Sequence, residues 1–244
     1  MMNFYQYTAG KTIAVVGPAP VPYDQSAEID AHDIVYRTSY GFGWREGMDP
    51  SPAGDCWTPG QFPRGTGTRV DMAFYNGMAT RQAAHGMLDE VYRDLDWAIH
   101  KNPPEYVSPI TNVRWVDIWP HFQGRRVQPN QVTLMLWDLT NYEVADVTVF
   151  GADFYMGPTD TWYDPDYMQP GWDLAYDDPT DAFAQGSAFE DQEDQRAVIR
   201  TIREHHGWPN GDARFLKALY TSPEEHYALM ESERLRHAKL RGKV

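Results

Sequence analysis

The stretch KTIAVVGPAPVPYDQSAEIDAHDIVYR, residues 11–37, decides the fold class of this chain. Its first part predicts a buried strand over 12–16, because five apolar or β-branched residues stand together and a glycine follows them. Its last part predicts a second strand over 33–38, beyond a proline-rich loop. A glycine directly after a strand is typical of a backbone that approaches a phosphate, but it also occurs in tight corners. The residues of this turn alone leave both interpretations open.

Strand and helix signals alternate along the rest of the chain. Short apolar runs predict further strands over 69–77, 113–119 and 144–155. Apolar residues at intervals of three and four predict helices, which cover 79–100, 130–143, 189–206 and 222–241. Such alternation indicates an α/β fold, in which a mostly parallel sheet is covered by helices on both faces.

The carboxyl ends of the predicted strands are the expected ligand-binding positions, since open parallel sheets bind their ligands there. The residues that stand at these ends are Gly17, Ser39, Asn76 and the segment from Gly151 to Tyr155. We therefore expect them to line one common site.

The length of 244 residues suits a single domain with two long loops. The loops cover 41–67 and 156–186, and C-terminal helices fill 213–241. Loops of this length are uncommon in a compact domain unless they have a function. We expect both to act as lids, with the acidic and aromatic loop 156–186 clamping an acceptor.

Charge and cysteine content narrow the class of partner. The chain has 21 basic and 35 acidic residues, and its net charge of −14 repels polyanions and disfavours passive binding to nucleic acid. The single Cys56 excludes an internal disulfide and fits a reducing compartment. No apolar run approaches the roughly 20 residues that span a bilayer, and the N-terminus lacks a signal-peptide core. We expect a cytoplasmic protein with no membrane partner.

Several well-known catalytic patterns are absent from the sequence. It contains no HExxH, no Cys/His cluster, no G-x-S-x-G, no Walker A and no G-x-G-x-x-G. The loop Asp164-Pro165-Asp166 offers two carboxylates for a divalent ion that bridges a diphosphate, although Asp and Pro are also ordinary turn residues. We predict that the protein needs neither a metal ion nor a cofactor.

Four segments resemble, in order, motifs of the sialyltransferase family of glycosyltransferases. IAVVG (13–17) followed by EIDAHDIVYR (28–37) resembles the first long motif, in which a strand ends in V-V-G and I-D-x-H-D-x-V-x-R follows. GTRVDMAFYNG (67–77) is similar to the short segment that comes next. PNQVTLMLWDLTNYEVADVTVFGADFY (129–155) resembles the second motif, and SAFEDQE (187–193) stands where the signature H-x-F-x-x-E falls.

The resemblance implies a Rossmann-like domain, a variant of the GT-A or GT-B type. Such a domain binds a nucleotide-activated sugar, usually CMP-linked, and transfers it with inversion and without a metal ion. The donor-binding residues expected from the resemblance and from the strand ends are Gly17, Pro18, Ala19, Arg37, Ser39, Asn76, Asn130, Gln131, Gly151 and Tyr155. Pro18 and Ser39 replace nucleotide-binding Asn residues of the family, and Ser187 replaces the His that assists departure of the phosphate. These replacements indicate an altered donor specificity.

Inverting transfer requires a base for the acceptor hydroxyl and groups that offset charge on the leaving phosphate. The candidate catalytic residues are Asp153, Asp160, Asp164, Ser187 and Glu190. No Lys or Arg stands between Val127 and Gln195. The phosphate is therefore expected to bind backbone N–H groups of Gly17 to Ala19, hydroxyl groups, Arg37, or the region of Arg64 and Arg69. Arg37 has an alternative role as the partner of Asp30 or Asp33 in a half-buried ion pair.

Two other functions remain open at this stage. A non-catalytic protein that binds a nucleotide or glycan fits the absence of the family His. A glycosyltransferase that modifies a nucleic-acid base is disfavoured by the net charge, but a groove built from Arg64, Arg69, Arg81, Arg125 and Arg126 would serve it. The favoured partners are a CMP-linked or other nucleotide-linked sugar and an acceptor glycan or other hydroxyl compound.

Overall fold

The computed structural model describes residues 3–19, 21–38, 62–75, 92–101, 111–116, 129–154 and 192–240. In chain order its strands are β1 (Thr12–Val16), β2 (Ile34–Thr38), β3 (Met72–Tyr75), β4 (Trp97–His100), β5 (Asn112–Trp115), β6 (Asp146–Phe150) and β7 (Asn210–Gly211). The helices of the described part are α1 (Phe4–Thr8), α2 (Ser26–Asp30), α3 (Gln131–Leu139), α4 (Gln192–His206), α5 (Ala213–Tyr220) and α6 (Pro223–Leu240).

The seven strands form one sheet in the order β5-β4-β3-β2-β1-β6-β7, and every neighbouring pair is parallel. β1 lies inside the sheet, where Ile13 is level with Ile34 on one side and with Val147 on the other. A strand buried on both faces favours a continuous apolar run rather than alternation. The opening stretch of sequence has this property, and the predicted α/β fold with a parallel sheet is confirmed.

Helices cover both faces of the sheet, as predicted. On one face Ile13 and Val15 belong to the large core that includes residues of α3, α4 and α5. On the other face Ala14 and Val16 pack in a smaller core with Ile29 of α2. Successive strand residues therefore serve opposite cores, because side chains alternate across a sheet.

The predicted helix over 79–100 is wrong at its C-terminal end. Trp97–His100 is β4, a strand whose residues are all buried between β3 and β5. The helical spacing of Leu95 and Ile99 arose from two different elements, since Leu95 precedes the strand and Ile99 lies within it. Short apolar runs are ambiguous between a helix and a fully buried strand. Residues 79–91 lie outside the described residues.

The predicted helices over 130–143, 189–206 and 222–241 are confirmed within the described residues, and α3 is shorter than predicted at both ends. α3 begins at the residue after Asn130, and α6 begins after Ser222, whose hydroxyl accepts a hydrogen bond from the Glu225 N–H at 3.1 Å. That hydroxyl is the N-cap expected from the sequence. None of the described helices combines the length and apolar character that crossing a bilayer requires.

Candidate functional site

The strand order places a topological switch point between β1 and β6. After β1 the chain adds β2 to β5 on one side of it, and it then crosses to the other side to form β6. The helix that follows β1 packs on one face of the sheet, whereas α3 and α4 pack on the other. Ligands of open parallel sheets bind beyond the carboxyl ends of the two strands at such a point. The candidate site is therefore the edge formed by the turns after β1 and β6.

The turns after β1 and β6 pack against each other at this edge. The Gly17 N–H donates to the Phe150 carbonyl at 2.8 Å, and the Ala19 N–H donates to the Gly151 carbonyl at 3.0 Å. Pro18, between them, has no N–H group. Both N–H groups of this turn thus donate to backbone carbonyls in this structure, and their predicted contact with a phosphate stays a prediction. The turn is a tight corner that lies at the switch point.

Glycine is required at this corner for steric reasons. A Cβ atom on Gly17 would lie 2.3 Å from the Gly151 carbonyl oxygen. Gly151 has a φ of +60°, and a Cβ atom there would lie 2.6 Å from the Ala19 carbonyl oxygen. The Gly151 carbonyl oxygen is also held by the Ala19 N–H, so the two glycines allow β1 and β6 to end side by side.

Gly151→Ala is expected to destabilise the protein more than Gly10→Ala, by about 1–3 kcal/mol of unfolding free energy, because overpacking of a rigid contact has costs of this size. Gly10 is a matched control, since its φ is +68° and a Cβ there has nothing within 4 Å. Both variants therefore place an alanine in the left-handed region of backbone conformation, which is strained. Only Gly151→Ala also brings a Cβ atom too close to a backbone oxygen. Urea unfolding of the two variants measures the difference. Equal losses would show that the corner relaxes around an added methyl group.

An ion pair joins the end of β6 to the start of α5. Asp153 is buried, with 4% exposure, and its carboxylate accepts a hydrogen bond from the Arg214 guanidinium. α5 begins at this edge because the Asp212 N–H donates to the Val149 carbonyl at 3.2 Å. The Asp212 carboxylate then caps the helix by accepting from the Phe215 N–H at 2.8 Å. The pair thus brings an Arg side chain from the C-terminal part of the chain to the site.

Phe154, next to this pair, has a backbone conformation rare for its residue type. Its φ is +53°, in the left-handed region, and its ring is buried against Phe215, with centroids 6.0 Å apart. A bulky residue in this region is strained, and residues held in this way cluster at ligand sites. The strain lies four residues beyond the end of β6, at the predicted site.

The N-terminus of α3 lies at the same edge of the sheet. The residues that follow α3 hydrogen-bond at the opposite edge, where the Gly10 N–H donates to the Glu143 carbonyl and the Ala145 N–H to the Lys11 carbonyl. Asn130 caps the helix, since its Oδ1 accepts from the Thr133 N–H at 2.8 Å. The predicted donor residues Asn130 and Gln131 therefore stand on the carboxyl side of the sheet, as Gly17 and Gly151 do.

Three solved structures similar to this chain are those of sialyltransferases. The sialyltransferase CstII from Campylobacter jejuni, in complex with the substrate analogue CMP-3FNeuAc, is 11% identical, with a TM-score of 0.45 over 81% of this chain and 78% of that one. A second structure of CstII, with cytidine-5'-monophosphate, has 11% identity and a TM-score of 0.35 over 59% of this chain and 69% of that one. A mammalian sialyltransferase has 12% identity and a TM-score of 0.38 over 80% of this chain and 66% of that one.

No protein-family model and no curated protein matches this sequence. The solved structures are at most 12% identical to the chain, so they do not show the family to which it belongs. The functional assignment therefore rests on the residues of the site.

Arg37 is buried, with 3% exposure, and binds the loop that precedes β3. Its guanidinium donates to the Arg69 carbonyl at 2.8 Å, to the Thr66 hydroxyl at 3.1 Å and to the Thr66 carbonyl at 2.6 Å. Asp33, one of its two predicted partners, instead has its Oδ1 at 3.7 Å from Lys11 Nζ. Its Oδ2 accepts hydrogen bonds from the N–H and the hydroxyl of Thr12. These contacts give Arg37 a structural role in holding residues 66–69, and its predicted contact with a donor stays a prediction.

Arg69 uses its side chain to hold the end of α2. Its guanidinium donates to the carbonyls of Asp30, His32 and Asp33 at 2.6–2.9 Å. It also pairs with the Asp71 carboxylate, at 2.9 Å. The Nε–H group also donates to Asp71 Oδ1, at 3.3 Å, so these contacts use all five N–H groups of the guanidinium. Arg69 is therefore not a free cation for a phosphate or for a nucleic-acid groove, and Arg81, Arg125 and Arg126 lie outside the described residues.

A histidine that sequence reasoning missed lies farther along the same edge. His100, the last residue of β4, has 1% exposure, and its ring stacks on Tyr75, the last residue of β3, with centroids 5.3 Å apart. Its Nε2 lies 2.6 Å from the Tyr92 hydroxyl, and its Nδ1 has no hydrogen-bond partner in the part of the chain that the structure describes. Burial lowers the pKa of His100 to about 4. The available signal was a His at the end of an apolar run, which the helix prediction concealed.

The remaining predicted site residues lie outside the described residues: Ser39, Asn76, Tyr155, Asp160, Asp164, Ser187 and Glu190. Cys56 and the carboxylates of Asp164 and Asp166 lie there too. Within the described ranges, no three His, Cys, Asp or Glu side chains come together in a way that would hold a metal ion.

Proposed function

We propose that this chain is a glycosyltransferase that moves a sugar from a nucleotide-sugar donor to an acceptor hydroxyl, with inversion and without a metal ion. One observation carries the proposal. The turn after β1, the N-terminus of α3 and the turn after β6 lie on one edge at the switch point, although more than a hundred residues separate the first from the other two. These are the segments that resemble sialyltransferase motifs, and a shared binding site explains why they occur together.

The reaction makes definite demands on this edge. The acceptor oxygen forms a bond to the anomeric carbon while the bond from that carbon to the phosphate oxygen breaks. The bonding electrons leave with the phosphate, and a base takes the hydroxyl proton. The N-terminus of α3 offers N–H groups and a positive dipole end to the phosphate. Arg214 contributes a cation at the end of β6. Asp160, Asp164 and Glu190 remain the proposed bases.

The donor is proposed to be CMP-linked or linked to another nucleotide, with an acceptor glycan or similar hydroxyl compound. Isothermal titration of the full chain with CMP, CDP, UMP, UDP, GDP and the corresponding nucleotide sugars tests this. At least one of them is expected to bind in a 1:1 ratio. A folded chain that binds none of them would overturn the proposal.

Asp153→Asn and Arg214→Met are each expected to weaken nucleotide binding about tenfold, which corresponds to about 1.4 kcal/mol. The geometry favours a positioning role for Asp153, because its carboxylate holds Arg214. The double variant is expected to bind no more weakly than either single variant, since each change already removes the same pair. Titration measures all three affinities, and urea unfolding shows whether the variants are folded. Additive losses would contradict the pair as one functional unit.

A different outcome would assign Asp153 as the base. In that case Asp153→Asn abolishes transfer while its affinity for the nucleotide equals that of the wild type. The alternative function is a non-catalytic protein that binds a nucleotide or a glycan. It gains support because Asp153, the one candidate base that lies within the described residues, is paired with Arg214. Incubation of the wild type with the nucleotide sugar that binds, followed by analysis for released nucleotide, distinguishes the two functions.

A further inference from the structure

The donor phosphate requires hydrogen-bond donors at this edge, and several expected ones are already used. The N–H groups of Gly17 and Ala19 donate to carbonyls of the β6 end, and the guanidinium of Arg69 is occupied by α2 and Asp71. No Lys or Arg stands between Val127 and Gln195, the part of the chain that supplies α3 and β6. Apart from Arg214 at the end of β6, the donors that α3 and β6 themselves offer to the phosphate are therefore neutral.

Gln195, in the first turns of α4, is one such donor. Its side chain is 4% exposed, and its Oε1 accepts from the Asn130 N–H at 2.8 Å and from the Thr133 hydroxyl at 3.0 Å. Because two donors meet at this atom, it must be the amide oxygen, and the orientation of the amide is fixed. The Nε2 group is buried and has no hydrogen-bond partner among the described residues. A buried donor left in this way costs about 1–3 kcal/mol, so it calls for a partner.

The position of Nε2 indicates the kind of partner. Oε1 and Nε2 are bonded to the same carbon, and therefore Nε2 lies beside Asn130 and the first turn of α3. α3 has nine residues, and its first N–H groups have no acceptor inside the helix. The side chain of the cap residue, Asn130, accepts from the Thr133 N–H. It does not bind the N–H of Val132, which stands one position earlier in the same turn. Oriented N–H groups at the positive end of a helix favour an oxyanion.

We propose that Gln195 is a donor-binding residue whose Nε2 donates to a phosphate oxygen of the nucleotide at the N-terminus of α3. This inference rests on the proposed function and assigns to it a residue that none of the motif-like segments contains. An amide held by two hydrogen bonds needs little reorganisation when negative charge grows on the leaving phosphate. Hydrogen bonds to charged acceptors are also stronger than neutral ones. Gln195 thus supplies part of what a cation supplies elsewhere.

The test compares a nucleotide with its nucleoside. CMP, UMP, cytidine and uridine are titrated against the wild type, Gln195→Leu and Gln195→Glu, each checked for folding by urea unfolding. Gln195→Leu is expected to weaken binding of the monophosphate at least tenfold and to leave binding of the nucleoside unchanged. Gln195→Glu keeps an oxygen for Asn130 and Thr133 but adds a negative charge beside the phosphate, so its loss is expected to be larger. It also provides the comparison if the leucine variant does not fold.

Each other outcome overturns the inference in a recognisable way. Equal losses for nucleotide and nucleoside would mean that Gln195 only supports the packing of α3 on α4. Unchanged affinities in both variants would leave the proposed function intact and remove Gln195 from the donor site. A wild type that binds none of CMP, CDP, UMP, UDP, GDP and their sugars would overturn the proposed function together with the inference.

Discussion

Arg196→Met is expected to lower the free energy of unfolding by about 3–5 kcal/mol, the cost of removing one partner from a buried charged network. Arg196 is fully buried in α4. Its guanidinium donates to the carbonyls of Ala218 and Thr221 at 3.0 and 2.8 Å, pairs with Glu193, and lies 3.4 Å from Nδ1 of His226. One side chain therefore ties α4 to the end of α5 and to α6. Methionine fills similar space but satisfies none of these groups.

Arg200→Met provides the matched control. Arg200 stands one turn later in α4, pairs with the same Glu193 and donates to the Leu219 carbonyl at 2.9 Å. Its side chain is 26% exposed, so water replaces its contacts when it is removed. A loss of about 1 kcal/mol or less is expected for such a pair. Urea unfolding measures the free energy of unfolding of both variants. Equal losses of stability would contradict the assignment of Arg196 as the centre of the network.

The central part of the sheet was predictable because burial on both faces leaves a local signature. β1 and β2 are short runs of buried and mostly apolar residues, and no long-range information is needed to recognise them. The prediction for β4 was wrong because this strand lacks such a local signature. Trp97–His100 follows a turn so closely that its apolar residues continued the helical spacing of the preceding segment. Distinguishing the two required knowledge of β3 and β5, its neighbours in the sheet.

The candidate site was predictable only in part. Residues at strand ends, such as Gly17 and Gly151, follow from the rule that loops after parallel strands meet at one edge. Gln195 and Arg214 do not follow from any such rule, since each reaches the edge from a later helix through contacts with distant residues. The use of the Gly17 and Ala19 N–H groups was also hidden, because it depends on how closely β6 approaches β1. The geometry shows the opening turn as a close corner between the ends of β1 and β6.

Lowering the pH from 7 to 4 is expected to destabilise the protein by about 3 kcal/mol through His100 alone, since each unit of pKa shift corresponds to about 1.4 kcal/mol. The pKa of His100 is lowered from 6.5 to about 4 because burial disfavours the charged ring. In the unfolded chain the same ring is in water and titrates near its ordinary value. Between these two pKa values the unfolded state binds more protons than the folded state. Stability therefore falls as the pH falls through this window, and the loss levels off once the pH is well below the folded-state pKa of about 4.

His100→Phe isolates this contribution. Phenylalanine keeps an aromatic ring between Tyr75 and Tyr92 but cannot take a proton, and it gives up the hydrogen bond to the Tyr92 hydroxyl. The variant is expected to be about 1 kcal/mol less stable than the wild type at pH 7, because one buried hydrogen bond is lost. At pH 4 it is expected to be the more stable protein, because it escapes the acid loss. Urea unfolding at intervals between pH 7 and pH 4 measures the crossing.

Other groups titrate in the same pH range. The informative quantity is therefore the difference in unfolding free energy between the wild type and His100→Phe at each pH. Burial, and then the charge of Arg196, lower the pKa of His226, and this residue destabilises the folded state in acid in the same direction. His226 is present in both proteins and cancels in the comparison. His205→Phe applies the same substitution to an exposed histidine of α4 and is expected to follow the wild type. If the curves of the wild type and of His100→Phe stay parallel from pH 7 to pH 4, His100 is not a buried neutral group. The edge of β3 and β4 would then have to admit water to its ring.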